Sequence, residues 1–315
     1  MRKYYVGIDG GGTYTKAVVV SHDGELIFRT AGETVNFCAV RFDTARKNLE
    51  DVISRITEVI PEEEIARVFI GCSALESKAD ADTTKRLMGR YSNIAADMDS
   101  DLYVALYGHS FGKQGAMIVS GTGSMGVAIT ENGLIITCGG WGYAFGDEGS
   151  AYYIAVEGLR YASKMADGRE EKTKLYYAAL KHYGVDDLYK IIDALYLPEY
   201  SRNKAADFAK VVAQCADEGD SICESILDNA ARELCSLSSA LLRRSGKYDT
   251  IAVYGGVLQN NRYVLSRLTE YLSEEFPGIS VVPPAALPEF GAVAAAMNAD
   301  GILNETLIKK LCILK

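Results

Sequence analysis

The chain switches between two apolar patterns, and it does so twice. From Tyr4, the segment YYVGIDGGGTYTKAVVVSHDGELIFRTAG reads as an apolar strand, a glycine–threonine turn, a second β-rich strand, an Asp-Gly hairpin turn and a third strand. From Gly115, GAMIVSGTGSMGVAITENGLIITCGG repeats that order with an Asn-Gly turn. The registers agree: Thr13 precedes Gly24 by eleven residues, and Thr122 precedes Gly133 by eleven. Two copies of one β-meander predict two similar half-molecules.

After each meander the period lengthens to that of a helix. Phe42, Ala45, Leu49, Val52, Ile53, Ile56 and Val59 predict a helix over 42–60. RVFIG (67–71) reads as a buried strand, 80–90 as a helix, 93–99 as a strand and 102–108 as a short helix. In the second half, 148–165, 171–183, 186–195, 202–217 and 219–243 read as helices. Ile222, Ile226, Ala230, Leu234, Leu237 and Leu241 form one stripe expected to face a core. A strand (250–256), a helix (259–274), a strand (279–283) and a helix from Glu289 complete the pattern. Meanders followed by crossovers predict an α/β fold of two domains, each a mixed sheet covered by helices. The expected division is 1–112 and 113–315, with a helical insertion at about 165–245 and a hinge near Gly108–Gly115.

Composition refines this picture. A chain of 315 residues suits two cores better than one. A net charge of −9 argues against nucleic acid as a partner, which needs a basic face. No apolar run is long enough to span a membrane, so no membrane partner is expected and the cytoplasm is the expected location. The seven cysteines are scattered without a CxxC pair, which favours buried thiols over a disulfide framework or a zinc site.

The candidate chemistry lies in the turns. Asp9-Gly10-Gly11-Gly12-Thr13 closes the first hairpin. Glycines there allow positive φ and let backbone N–H groups approach phosphate oxygens, while Asp9 at the strand end suits Mg²⁺. A plain tight turn explains the same residues equally well. The turn is neither a P-loop nor a dinucleotide fingerprint, because GxxxxGK[ST] is absent and a hairpin follows. Ser120-Gly121-Thr122-Gly123-Ser124 stands at the equivalent place in the second half, and a polyphosphate such as ATP would fit between two such turns. Gly255 and Gly256 follow a buried strand and open a helix, a turn on which an adenine–ribose group can lie. An ordinary strand–helix connection has the same sequence.

This order of turns resembles the two-domain, ribonuclease H-like ATPase shared by actin, chaperone ATPases and sugar kinases. Within that group, Gly139–Tyr152 (GGWGYAFGDEGSAY) is similar to a segment of N-acetylglucosamine kinases, and the likeness runs from residue 5 to about 299, through PEFGAVAAA. That family sits beside the BadF/BcrA-type ATPases. The resemblance implies ATP bound with Mg²⁺ in an interdomain cleft and an amino sugar as substrate, phosphorylated at a hydroxyl, O6 being the expected one. It places the catalytic base at Asp101, with Asp97 and Asp99 as neighbours on the same strand and helix capping as the bland role. It also implies sugar contacts at Asn36, Asp101, Gly140, Trp141, Gly142 and Asp147, nucleotide contacts at Thr13 and Thr122, and a homodimer. For Asn36 the alternative is a local turn, and for Trp141 a core position. Glu148 and Ser150 either support the site or cap the next helix. An activator of a 2-hydroxyacyl-CoA dehydratase is the competing function, and it would hold an iron–sulfur cluster between two subunits.

Overall fold

The computed structural model describes residues 3–195 and 202–314. Two five-stranded mixed sheets share one plan. In the first, β1 (Tyr4–Gly10), β2 (Tyr14–Ser21) and β3 (Leu26–Glu33) form the antiparallel meander. Strands β4 (Ile65–Cys72) and β5 (Ala96–Asp99) extend it in parallel, giving the order β3-β2-β1-β4-β5. In the second, β6 (Gly115–Ser120), β7 (Ser124–Ile129) and β8 (Ile135–Gly139) repeat the meander. Strands β9 (Thr250–Tyr254) and β10 (Ser280–Val282) extend it in parallel, giving β10-β9-β6-β7-β8. Read from the outer meander strand inward, the two orders coincide, as the sequence repeat predicts.

Helices α1 (Phe42–Thr57), α2 (Ala81–Met88) and α3 (Asp101–Ser110) alternate with the first strands. Between β8 and β9 lie α4 (Ala151–Ala166), α5 (Lys174–Tyr183), α6 (Lys190–Leu195), α7 (Arg202–Ala206), α8 (Phe208–Asp217) and α9 (Ser221–Ser245). Helices α10 (Gly256–Asn260) and α11 (Arg262–Glu275) join β9 to β10, and α12 (Pro288–Ala299) and α13 (Glu305–Ile313) follow. The spans expected at 202–217 and 259–274 are each two helices. The second break has a clear cause: the Asn261 side chain accepts from the Val264 amide at 3.0 Å and starts α11 afresh. Helix α13 has no counterpart in the sequence reading. Asn304 caps it, accepting from the Thr306 and Leu307 amides at 3.0 and 3.1 Å.

The chain divides into two compact units: Met1–Gly115 with Glu131–Leu134 and Pro284–Lys315, and Ala116–Thr130 with Ile135–Pro283. The expected second half, 113–315, is therefore corrected at its C-terminal end, because α12 and α13 pack on the first sheet. Helix α12 is buried from Pro288 to Met297, against β1, β4 and α3. Small residues make this possible. A Cβ on Gly7 would lie 2.6 Å from the Val293 nitrogen and strike the Glu289 carbonyl, and one on Gly291 would strike the Val104 carbonyl and Gly108.

The opposite face of the first sheet is covered by α1 and α2, which bury Leu49, Val52, Ile53, Leu87 and Met88 against Val6, Ile8, Val68 and Ile70. In the second unit, the predicted stripe of α9 buries Ile226, Ala230, Leu234 and Leu241. Asp220, almost fully buried, accepts from the amides of Ile222 (3.1 Å), Cys223 (3.3 Å) and Leu175 (3.0 Å), so one carboxylate caps α9 and fastens the start of α5. Although burial raises its pKa, the hydrogen bonds it accepts outweigh burial and leave it below the ordinary value.

Candidate functional site

In the first unit, the ends of β1 and β5 and the first turn of α3 carry the acidic residues, with β4 between the two strands. Asp9 lies opposite Lys16 on β2 and beside Gly71 on β4, and Gly71 pairs with Asp99 on β5. Gly71 brings α3 onto the strand ends: a Cβ there would lie 3.3 Å from the Asp101 Cα and collide with Val104. Ser100 is the cap of α3, accepting from the Tyr103 amide at 3.1 Å, so the capping role falls to Ser100 and not to Asp101.

The three neighbouring aspartates differ in what surrounds them. Asp97 is paired with Arg67 (2.6 Å) and Lys78 (3.2 Å), and the same Arg67 holds Asp300 (2.8 Å). Asp99 is buried, accepts from the Ser100 amide at 2.7 Å, and is raised by that burial. Asp101, in the first turn of α3, is raised by burial to about 6, partly offset by amides of its own turn. Asp9 is raised to about 7, first by burial and then by the charges of Asp101 and Glu289, against the attraction of Lys16. Glu289 is 4% exposed, and its Oε2 has no hydrogen-bond partner among the described residues. A cation beside Asp9 would relieve this crowding, so the residues present fit Mg²⁺.

Of the two reasons expected for the glycines of the first turn, positive φ does not apply. Gly10, Gly11 and Gly12 all avoid positive φ. Gly10 is required by packing, since a Cβ there would collide with Val35 and lie 2.6 Å from the Gly71 carbonyl. Gly12 faces open space, with no atom within 4 Å of the position its Cβ would take. Thr13 is exposed beside it. Thr34 fastens the turn: its hydroxyl donates to the Gly11 carbonyl at 2.7 Å and accepts from the Asn36 amide at 3.0 Å. The Asn36 side chain accepts from the amides of Cys38 (2.9 Å) and Ala39 (3.0 Å) and donates to the Ser73 hydroxyl (2.9 Å). The local turn that competed with a ligand role at Asn36 is thus present.

In the second unit, the structure brings three of the predicted segments together. The Gly121 amide donates to the Gly123 carbonyl at 2.9 Å and closes the turn around Thr122. The Ser120 hydroxyl donates to the Gly149 carbonyl (2.9 Å), and the Ser124 hydroxyl donates to the Glu148 carbonyl (2.6 Å). The Ala151 amide returns a bond to the Gly121 carbonyl at 2.9 Å. Gly255, with φ 97°, passes so close that a Cβ would strike the Ser120 carbonyl, and Gly256 follows it into α10. Ser150 caps α4 through the Tyr153 amide at 3.1 Å, so the capping role is present.

The Gly139–Tyr152 segment turns through left-handed backbone at Gly139, Gly140, Gly142, Asp147 and Gly149. A non-glycine residue held at φ 59°, as Asp147 is, carries strain that the surroundings must hold in place. Asp147 is 5% exposed, accepts from the Ser124 amide at 3.3 Å and is ion-paired with Arg202. Trp141 is 71% exposed, so it is not a core tryptophan; Phe145 and Tyr143 stand exposed beside it.

Sequence reasoning missed Thr34, Ser73, Glu289 and Arg202. Glu289 lies inside the PEFGAVAAA segment and was within reach of the resemblance. Arg202 lies in the helical insertion, where no motif marks it.

The comparisons with known proteins follow this geometry. The chain is 27% identical over 304 residues to an N-acetylmuramic acid/N-acetylglucosamine kinase of Clostridium acetobutylicum, covering 94% of this chain and 99% of that one. It is 27% identical over 316 residues to an N-acetyl-D-glucosamine kinase of Dictyostelium discoideum, covering 95% and 99%. Among solved structures, a candidate N-acetylglucosamine kinase from Chromobacterium violaceum superposes with a TM-score of 0.73 at 21% identity, covering 92% of this chain and 98% of that one. A glucokinase of the ROK family from Streptomyces griseus superposes at 0.54 and 18% identity, covering 93% and 98%. These two likenesses concern the fold. The model of the BadF/BadG/BcrA/BcrD ATPase family matches residues 6–299, and the chain belongs to that family.

Proposed function

We propose that this chain is an ATP-dependent amino-sugar kinase, with N-acetylglucosamine or a close relative as substrate and O6 as the phosphorylated hydroxyl. The observation that carries the reading is Asp101. It is a half-buried carboxylate, raised to about 6, at the mouth of a sheet that also presents Asp9 and the open side of Gly12. The full-length likeness to amino-sugar kinases supports the substrate class.

The chain's own residues account for the chemistry that phosphoryl transfer needs. Asp101 takes the proton of the sugar hydroxyl as the O–P bond forms. A value near 6 leaves it ionised at neutral pH, yet basic enough to accept. Amides of the first turn of α3 steady the carboxylate. The amides around Gly10–Thr13 and Gly121–Gly123 serve phosphate oxygens, and Gly255 and Gly256 serve the adenosine. Asp9, with Glu289 behind it, would hold Mg²⁺, which supplies neutralisation of phosphate charge. Asn36, Gly140, Trp141, Gly142 and Asp147 are assigned to the sugar. No helix among the described residues is long and apolar enough to cross a membrane. A cytoplasmic homodimer is the setting proposed.

The test is ADP release with Mg-ATP against a panel of hexoses, amino sugars and N-acetylated sugars. N-Acetylated or free amino sugars should raise release well above the basal rate, and product mapping should place the phosphate on O6. If no sugar in the panel does so, the kinase reading fails.

A further inference from the structure

Arg202 has the surroundings of a ligand-reading cation, and the function described so far leaves it without a role. Its Nη2 is ion-paired with Asp147, which in turn accepts from the Ser124 amide at the end of the 121–123 turn. A Cβ built on Gly123 would lie 2.5 Å from that same Nη2, so the guanidinium stands directly against the turn. Its plane is held by two rings: its centre lies 5.3 Å from the Tyr143 centroid and 6.0 Å from that of Tyr152, and these rings meet edge to face at 5.1 Å.

One donor of this fork is idle. Nε is buried and has no hydrogen-bond partner among the described residues. An arginine that served only as a strap between α7 and the turn would gain by pairing both Nε and Nη with the carboxylate. Here the side edge, which receives an oxyanion with two parallel N–H···O bonds, keeps an unused donor beside a turn of backbone amides. Asp147 holds Nη2 and the two rings preset the orientation of the guanidinium, which leaves Nε to the ligand.

We propose that Arg202 is an oxyanion-binding residue of the second unit, taking a phosphate or carboxylate oxygen through Nε while Asp147 holds Nη2. The inference rests on the kinase reading of the 121–123 turn. Two sources supply that chemistry: a nucleotide phosphate, or the carboxylate of an acidic amino sugar such as N-acetylmuramic acid.

Calorimetric titration of ADP and of inorganic phosphate into wild-type, Arg202→Gln and Arg202→Lys protein tests the inference. Steady-state KM for N-acetylglucosamine and N-acetylmuramic acid completes it. Arg202→Gln should weaken the oxyanion ligand roughly tenfold or more, and Arg202→Lys, which keeps charge but loses the planar fork, by about threefold. A loss confined to ADP and phosphate assigns the edge to the nucleotide. A rise in KM for the acidic sugar alone, with the neutral sugar unchanged, assigns it to the substrate carboxylate. If Arg202→Gln does not fold, Arg202→Lys decides, since undiminished binding of all three ligands in a folded variant leaves a strap only and overturns the proposal. Wild-type protein that binds neither ADP nor phosphate nor the acidic sugar overturns it too. Sugar-dependent ADP release by wild-type protein tests the kinase reading separately.

Discussion

The two glycine turns occupy the same position in the same sheet order, yet they are supported by opposite means. Around Gly10–Thr13 the first unit gathers carboxylates, and Asp9 is pushed up by burial and by the charges of Asp101 and Glu289. Around Gly121–Gly123 the second unit uses neutral hydroxyls, with Ser120 and Ser124 bonded to the Gly149 and Glu148 carbonyls, and its buried acid, Asp147, is paired with Arg202. A repeated scaffold thus carries two different electrostatic designs. The first holds unsatisfied negative charge, which suits a cation and a proton acceptor. The second is locally balanced, which suits holding a ligand in place.

The largest break in this comparison should come at Asp101. Asp101→Asn keeps the shape but removes the acceptor, and kcat should fall about 10²–10⁴-fold with sugar and ATP affinity far less affected. Asp97→Asn should leave kcat near wild type, because Asp97 faces Arg67 and Lys78. Equal losses at Asp99 would move the base there. In wild-type protein, kcat/KM should fall as pH drops through about 6, where Asp101 becomes protonated, and that limb should vanish in Asp101→Asn.

Next comes stability, with opposite signs in the two units. Asp9 has a folded pKa near 7 against an ordinary value of 3.8, so its contribution is fully present below the lower value and is lost as pH rises through the higher. Asp9→Asn should therefore leave Tm at pH 8 at or above wild type, while weakening use of Mg-ATP. Asp220, whose pKa is lowered, contributes stability above its ordinary value and loses it as pH falls through the folded one. Asp220→Asn should cost about 1–3 kcal/mol near neutral pH and less in acid. Thermal melts at several pH values check both, and parallel pH dependence in the two variants would refute the contrast.

A smaller effect is expected at Ser124. Ser124→Ala deprives the Glu148 carbonyl of its donor and should cost about 1 kcal/mol in thermal or denaturant melts, with kcat little changed. An unchanged midpoint would mean that this hydroxyl does not brace the turn. The smallest effect is optical. Exposed Trp141 should shift its emission to the blue on adding sugar without ATP, and an unchanged spectrum with binding shown by calorimetry would remove Trp141 from the sugar.

Much of the site was legible along the chain because turn chemistry is local. The glycine pairs, the Asp-Gly and Asn-Gly hairpins and the GDEGSAY run all state their geometry within a few residues. The reason for each glycine was less legible. Gly10 is small because Val35 and Gly71 come close, and Gly255 because Ser120 does, contacts made by residues distant in sequence.

By itself, the sequence determined the repeat and the helix stripes, because periodicity and turn residues act over one or two turns of chain; the candidate acid rested on the resemblance to sugar kinases. Only the tertiary structure decided which of three nearby aspartates is ion-paired, since Arg67 and Lys78 select Asp97 from positions far along the chain. It also decided that α12 joins the first sheet. A helix buried from Pro288 to Met297 has no polar face to show its partner, and the choice rests on close backbone approach at Gly7 and Gly291. Arg202 is the extreme case: its meaning depends on a carboxylate 55 residues away, and no local pattern encodes such a pairing.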